Sequence, residues 1–98
     1  MRLLIVEDEA RMATALQRGL ITEGFAVEVA LNGPDGLHLA RETSYDAIIC
    51  DIMLPGLSGY RIIEALRAEQ NWVPVLVLSA KDGDKLEQLD QKQGSRWV

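Results

Sequence analysis

Three acidic side chains lie at the ends of two apolar segments, and together they indicate metal-assisted phosphoryl chemistry. Glu7 and Asp8 directly follow the run Leu3–Val6, and Asp51 lies within the stretch Tyr45–Gly56. If these runs are neighbouring parallel strands, the carboxylates meet at one sheet edge, where they repel and raise each other's pKa. Mg²⁺ relieves such repulsion, because it prefers oxygen ligands and often binds one or two carboxylates plus a phosphate.

Asp51 is the candidate nucleophile of this cluster. An aspartate can attack phosphorus to form an acyl phosphate, while a metal neutralises the charge of the transferring group. Ser79 ends a fourth apolar run, from which its hydroxyl could hydrogen-bond a phosphoryl oxygen on Asp51. Each acid or serine taken alone is more often a helix cap. Asp51 fits a capping role poorly, since it lies upstream of Pro55-Gly56 inside an apolar run.

The single cysteine and the single histidine are given structural roles. Cys50 adjoins Asp51 in an apolar run and is predicted to be a small buried side chain. His38 is predicted to be solvated on a helix. With no second His or Cys nearby, a soft-metal site is not expected.

The elements that must position these residues alternate along the chain as β-α-β-α-β-α-β-α. This order predicts an α/β fold with right-handed crossovers and helices on both faces of a parallel sheet. The predicted strands are Leu3–Val6, Phe25–Ala30, the run from Ala47 and Val75–Leu78. The predicted helices begin after the Asp8 cap, at Pro34, after the Ser58 cap and at Asp82.

Apolar spacing predicts which helix faces turn inward. In the first helix the predicted stripe is Met12, Ala15, Leu16, Gly19 and Leu20. In the third it is Ile62, Ile63 and Leu66.

Composition limits the function further. The chain has 98 residues, 48% hydrophobic and 26% charged, which fits one small globular domain. Its net charge of -5 argues against direct binding to nucleic acid or an anionic membrane. No run is long enough to span a membrane or form a signal-peptide core, so a cytoplasmic location is expected.

Three motifs make the family recognisable: LLIVEDE, YDAIICDIMLPGLSG and PVLVLSAKD. They closely resemble the receiver domain of two-component response regulators, in particular the subfamily with a winged-helix DNA-binding output domain. The resemblance covers Arg2 to about Asp84. It implies a three-layer, doubly wound, flavodoxin-like receiver fold with strand order 2-1-3-4, followed by a fifth strand.

The resemblance also implies a role for each candidate residue. Asp51 matches the aspartate that takes a phosphoryl group from a sensor histidine kinase, in a protein that is not itself an enzyme. Glu7 and Asp8 match the acidic pair that holds Mg²⁺ with Asp51, and Met53 matches a backbone-carbonyl ligand of that metal. Ser79 matches the switch hydroxyl.

The end of the sequence departs from the family pattern. After Gly94, the segment Ser95-Arg96-Trp97 replaces the usual continuation. The fifth strand, its lysine, the switch aromatic and the last helix are therefore expected to be missing. The expectation is a truncated receiver domain over residues 1–98, with no DNA-binding output domain and impaired switching. A homodimer is expected, formed through the exposed fourth-strand edge or a swapped C-terminal segment.

The sequence also allows two alternatives to a phosphorylated receiver domain. One is a non-switching module that dimerises or titrates a kinase or full-length partner. The other is a Mg²⁺-dependent phosphatase with an aspartate nucleophile. Such phosphatases usually carry a second aspartate two residues after the nucleophile, and Met53 at that position argues against this class.

Overall fold

A computed structural model describes residues 1–78, which contain a parallel sheet of four strands in the order β2-β1-β3-β4. This confirms the predicted α/β, flavodoxin-like architecture. Predictions on Ser79, on the fourth helix and on the C-terminal segment lie outside the described residues. The strands are β1 (Arg2–Val6), β2 (Ala26–Ala30), β3 (Ala47–Asp51) and β4 (Val75–Leu78), and the helices are α1 (Ala10–Thr22), α2 (Gly33–Glu42) and α3 (Gly59–Ala68).

The main core lies on the sheet face that α2 and α3 cover. Alternate residues of a strand point to opposite faces, so Leu4 and Val6 of β1 face this core while Leu3 and Ile5 face the other side. Strands buried on both faces lose the polar alternation of exposed strands. The other members of this core are Ala30, Ala40, Tyr45, Ile48, Cys50, Ile52, Ile62, Ile63, Leu66, Val75 and Val77.

Helix α3 has the inward face that its spacing predicted. Ile62, Ile63 and Leu66 are fully buried, and the Ser58 hydroxyl caps the helix by accepting from the Arg61 N–H at 3.3 Å. The helix thus begins at a fixed point directly after the loop that follows β3.

Removing one methylene from this buried face should lower the free energy of unfolding. We expect Ile63→Val to cost about 1 kcal/mol, because the lost contacts leave a small void that the packed core cannot fill. Urea unfolding followed by circular dichroism measures the change. Ile21→Val is the matched control on α1, because Ile21 is 52% exposed. Equal losses for both variants would contradict the described core.

The predicted inward face of α1 is only partly correct. Met12 is 47% exposed, and the residues that turn toward the sheet are Ala13, Leu16, Gln17 and Leu20. The two stripes share their leucines, so apolar spacing alone could not separate them. Gln17 belongs on the inner stripe because its side-chain N–H donates to the Val27 carbonyl at 3.0 Å, which gives this polar group a partner.

The start of α1 also differs from the prediction. The N-cap is Glu9, whose side chain accepts from the Arg11 N–H at 3.0 Å, rather than Asp8. Asp8 lies on the bend between β1 and this cap and is exposed. Its carboxylate is therefore not used to cap the helix.

No helix within residues 1–78 combines the length and the apolar character needed to cross a bilayer.

Candidate functional site

The register of β1 and β3 places the candidate acids side by side. Val6 of β1 pairs with Cys50 of β3, and the next residues along the two parallel strands are Glu7 and Asp51. One carboxylate oxygen from each of Glu7, Asp8 and Asp51 lies within 4.8 Å of the other two. The structure thus brings these three predicted site residues together at the carboxyl edge of the sheet.

Glu7 is the most buried member of the cluster, with 8% of its surface exposed. Its Oε2 accepts a hydrogen bond from the Glu9 N–H at 2.9 Å, which fixes the carboxylate. Burial raises the pKa of Glu7, and the neighbouring Asp51 and Asp8 charges raise it further, while the Glu9 N–H works in the opposite direction. A buried carboxylate among like charges is a position that a cation would stabilise.

Asp51 is half-buried at the last position of β3. Partial burial raises its pKa, and so does the charge of Asp8, whereas the backbone N–H groups of Met53 and Ile52 lower it. Both residues belong to the loop after β3, so this loop favours the ionised form of Asp51.

Two other potentially reactive side chains, Cys50 and His38, are not part of the site. Cys50 is fully buried, as predicted, and burial raises the pKa of its thiol to about 12. The thiol therefore stays protonated and is a poor nucleophile at neutral pH. His38 is exposed on α2, also as predicted.

An open cleft of about 580 Å³ lies beside Asp8. Met53, on the loop after β3, lines this cleft and is 70% exposed. Tyr60 is a cleft residue that the sequence patterns did not indicate; its only signal was its position as the second residue of α3. The cleft is lined by Asp8, Ile52, Met53, Leu54, Pro55, Ser58 and Tyr60.

The donor set of this cluster fits a hard divalent cation. It consists of carboxylate oxygens, which Mg²⁺ and Ca²⁺ prefer, and it has no sulfur or imidazole ligand that would select a softer metal. Within the described part of the chain, none of the salt bridges involves Glu7, Asp8 or Asp51. The repulsion among these carboxylates is therefore available to drive cation binding.

Comparison with known proteins assigns the family. The family model for the response regulator receiver domain matches residues 3–94. The chain belongs to the response regulator receiver domain family. Receiver domains of two-component systems accept phosphoryl groups, bind Mg²⁺ at an acidic pocket and interact with histidine kinases.

Individual relatives agree with this assignment. The domain is 48% identical over 91 residues to the transcriptional regulatory protein PcoR of Escherichia coli, covering 91% of this chain and 40% of PcoR. The chain spans 40% of PcoR and 35% of the transcriptional regulatory protein CusR of Escherichia coli, so it covers two-fifths or less of these curated relatives. The relatives are named as transcriptional regulators, not as enzymes.

Solved structures give the same fold. The receiver domain of Francisella response regulator 1452 superposes with a TM-score of 0.91 at 28% identity, covering 99% of this chain and 81% of the other. The response regulator TrrA of Thermotoga maritima, solved in complex with Mg²⁺-BeF, gives a TM-score of 0.85 at 27% identity, with 99% and 84% covered.

Metal affinity of this receiver domain should fall on acidification. The raised pKa values of Glu7 and Asp51 mean that protons compete for these oxygens at a higher pH than for ordinary carboxylates. Below those pKa values, we expect the Mg²⁺ affinity to drop about tenfold per pH unit for each proton displaced. Calorimetric titration from pH 7.5 to pH 4.5 measures this dependence. A flat profile would contradict metal binding at these carboxylates.

Proposed function

We propose that this receiver domain takes a phosphoryl group from a sensor histidine kinase onto Asp51. Mg²⁺ is held by Glu7, Asp8 and Asp51, and by the backbone carbonyl of Met53. The observation that carries this proposal is the cluster of three carboxylate oxygens within 4.8 Å of one another. The cluster adjoins an open cleft through which a donor can approach.

The proposed reaction is a transfer between two nucleophiles. A carboxylate oxygen of Asp51 attacks the phosphorus of a phosphohistidine, the new P–O bond forms and the P–N bond breaks. The imidazole leaves with the bonding pair and takes up a proton, and Asp51 becomes an acyl phosphate. When bound, Mg²⁺ offsets the charge of the acids and of the phosphoryl oxygens.

The protein's own groups prepare Asp51 for this transfer. The backbone N–H of Met53 lowers the pKa of Asp51 and so favours its ionised, nucleophilic form. The Glu9 N–H occupies only one oxygen of Glu7, which leaves the other for the metal.

Incubation with a small phosphodonor and Mg²⁺, followed by intact-mass measurement, tests the proposal. We expect a gain of one phosphate in the wild-type chain, loss of that phosphate in hydroxylamine, and no gain in Asp51→Asn. Hydroxylamine cleaves acyl phosphates but not serine phosphates, so it reports the type of bond. A gain that persists in Asp51→Asn would contradict the assignment of Asp51.

The proposal extends to the readout of the site, with Ser79 as the switch hydroxyl. Ser79 lies outside the part of the chain that the structure describes. The curated relatives are transcriptional regulatory proteins by name, which supports an output in transcription. With a net charge of -5, this chain itself is expected to contact proteins rather than DNA.

We also retain the proposal of a homodimer through β4. Within residues 1–78, β4 lies at an edge of the sheet and pairs with β3 alone. Its Leu76 and Leu78 are only half-buried, and an apolar edge strand favours pairing with another chain. Light scattering across a micromolar dilution series tests this, and a monomer at every concentration would contradict it.

A further inference from the structure

We propose that the first turn of α2 positions the loop that carries the metal-binding backbone, with Gly33 as the positioning residue. We call residues Ile52–Ser58, between β3 and α3, the acceptor loop. The inference rests on the proposed function, in which the backbone carbonyl of Met53, a residue of the acceptor loop, is a ligand of Mg²⁺. It concerns a contact between α2 and this loop that lies outside the carboxylate cluster.

The first contact is a backbone hydrogen bond at Gly33, where a side chain would not fit. The Gly33 N–H donates to the Pro55 carbonyl at 3.1 Å. A Cβ at Gly33 would lie 1.9 Å from the Leu57 carbonyl oxygen, far inside contact distance. Because the obstacle is backbone, no side-chain rotation relieves it. Any larger residue at this position must push the acceptor loop away from α2.

The second contact lies one residue further along both segments. Gly56 has φ +82°, and a Cβ there would lie 2.9 Å from Cδ of Pro34. Glycine adopts this backbone conformation without strain, and it also lets the proline ring pack directly on the loop. The first two residues of α2 therefore hold the middle of the acceptor loop at two adjacent points.

The start of the acceptor loop connects these two contacts to the proposed metal site. This start is fixed by the Ile52 carbonyl, which accepts from the Gly59 N–H at 2.8 Å. Met53 lies two residues after Asp51, the last residue of β3. A larger residue at position 33 that displaces the loop thus moves the Met53 peptide, whose carbonyl belongs to the proposed metal site.

The same helix turn also touches the strand that carries the other acids. A Cβ at Gly36 would lie 2.6 Å from Cγ1 of Val6, the residue before Glu7. The N-terminal turn of α2 is itself held by the Asn32 cap, whose side chain accepts from the Asp35 N–H at 2.8 Å. This one turn therefore contacts both the acceptor loop and the end of β1, and it fixes the position of the loop relative to that strand.

Gly33→Ala is the direct test, read out as Mg²⁺ affinity of the folded chain by calorimetry. We expect a loss of about fivefold or more, together with faster amide exchange of Met53 in the metal-free chain. Gly19→Ala is the matched control, since nothing lies within 4 Å of the added methyl on α1. Glu69→Gln is a second control, because it breaks the Arg41–Glu69 contact between α2 and α3 at the opposite end of the helices. Both controls should bind Mg²⁺ like the wild type.

A rescue experiment separates positioning from a general loss of stability. Gly56→Asn keeps a residue that tolerates positive φ but places a Cβ against Pro34. We expect it to weaken Mg²⁺ binding, and the double variant Pro34→Ala/Gly56→Asn to recover affinity to within about twofold of the wild type.

Two outcomes would overturn the inference: unchanged Mg²⁺ affinity in Gly33→Ala, or no recovery in the double variant. If the wild type binds no Mg²⁺, the proposed metal site fails instead. The Met53 amide exchange in metal-free Gly33→Ala then still decides whether α2 positions the loop, with exchange equal to the wild type counting against it.

Discussion

Asp8→Asn is expected to weaken Mg²⁺ binding by about tenfold to a hundredfold without unfolding the chain. Asp8 is exposed, and the helix cap is supplied by Glu9, so the nearly isosteric amide costs little packing or capping energy. The substitution removes one of the three negative charges that converge at the cluster. Calorimetric titration with MgCl₂ measures the affinity, and circular dichroism checks the fold.

Glu64→Gln is the matched control for this loss of charge. Glu64 is exposed on α3, where its only described ion-pair partner is Arg61 at 3.9 Å. We expect this variant to bind Mg²⁺ like the wild type, because exposed charges outside the cluster are largely screened. Equal losses in the two variants would mean that general electrostatics, not coordination by Asp8, governs the affinity.

Asp51→Asn is expected to abolish phosphate uptake and to raise the metal-free free energy of unfolding, by at most about 1 kcal/mol because solvent screens this partly exposed charge. The pKa of Asp51 is raised in the folded state, so the folded chain binds this proton more tightly than the unfolded chain. Stability from this group is therefore present at low pH and is lost as the pH rises through the unfolded and then the folded pKa. The neutral amide removes that loss at neutral pH.

Urea unfolding at pH 7 with and without Mg²⁺ measures this effect. In the absence of metal, Asp51→Asn should be the more stable chain, and its stability should fall less than that of the wild type between pH 4 and pH 7. A Mg²⁺ concentration that just saturates the wild type should reverse the order, since the wild type, with all three carboxylates, then gains more binding energy in the folded state than the variant. A metal-free Asp51→Asn chain that is less stable than the wild type would contradict the unfavourable burial of the Asp51 charge.

The sheet and the carboxylate cluster could be predicted because each follows from a local signal. The strand Val75–Leu78 and the inward face of α3 agree with the structure, since a short uninterrupted apolar run is typical of a buried strand and i, i+3, i+4 spacing is typical of a helix. The convergence of the acids follows from placing β1 beside β3, because parallel neighbours end at the same edge of the sheet.

The features that could not be predicted from the sequence depend on packing between segments that are distant along the chain. The inward stripe of α1 differs from its prediction because Gln17 finds its partner, the Val27 carbonyl, only in the folded chain. The pair Asn32-Gly33 is typical of an ordinary turn, yet Gly33 is restricted by Leu57, which is distant in sequence. Short-range spacing carries no information about either contact.

The most direct test of Asp51 as phosphoacceptor is to locate the phosphate after reaction with a phosphodonor and Mg²⁺. Rapid digestion and peptide mass mapping should place a single hydroxylamine-labile phosphate on the peptide that contains Asp51, and chelation of Mg²⁺ should abolish it. A phosphate that resists hydroxylamine, lies on another residue or forms equally well without Mg²⁺ would contradict the assignment of Asp51 as the metal-assisted phosphoacceptor.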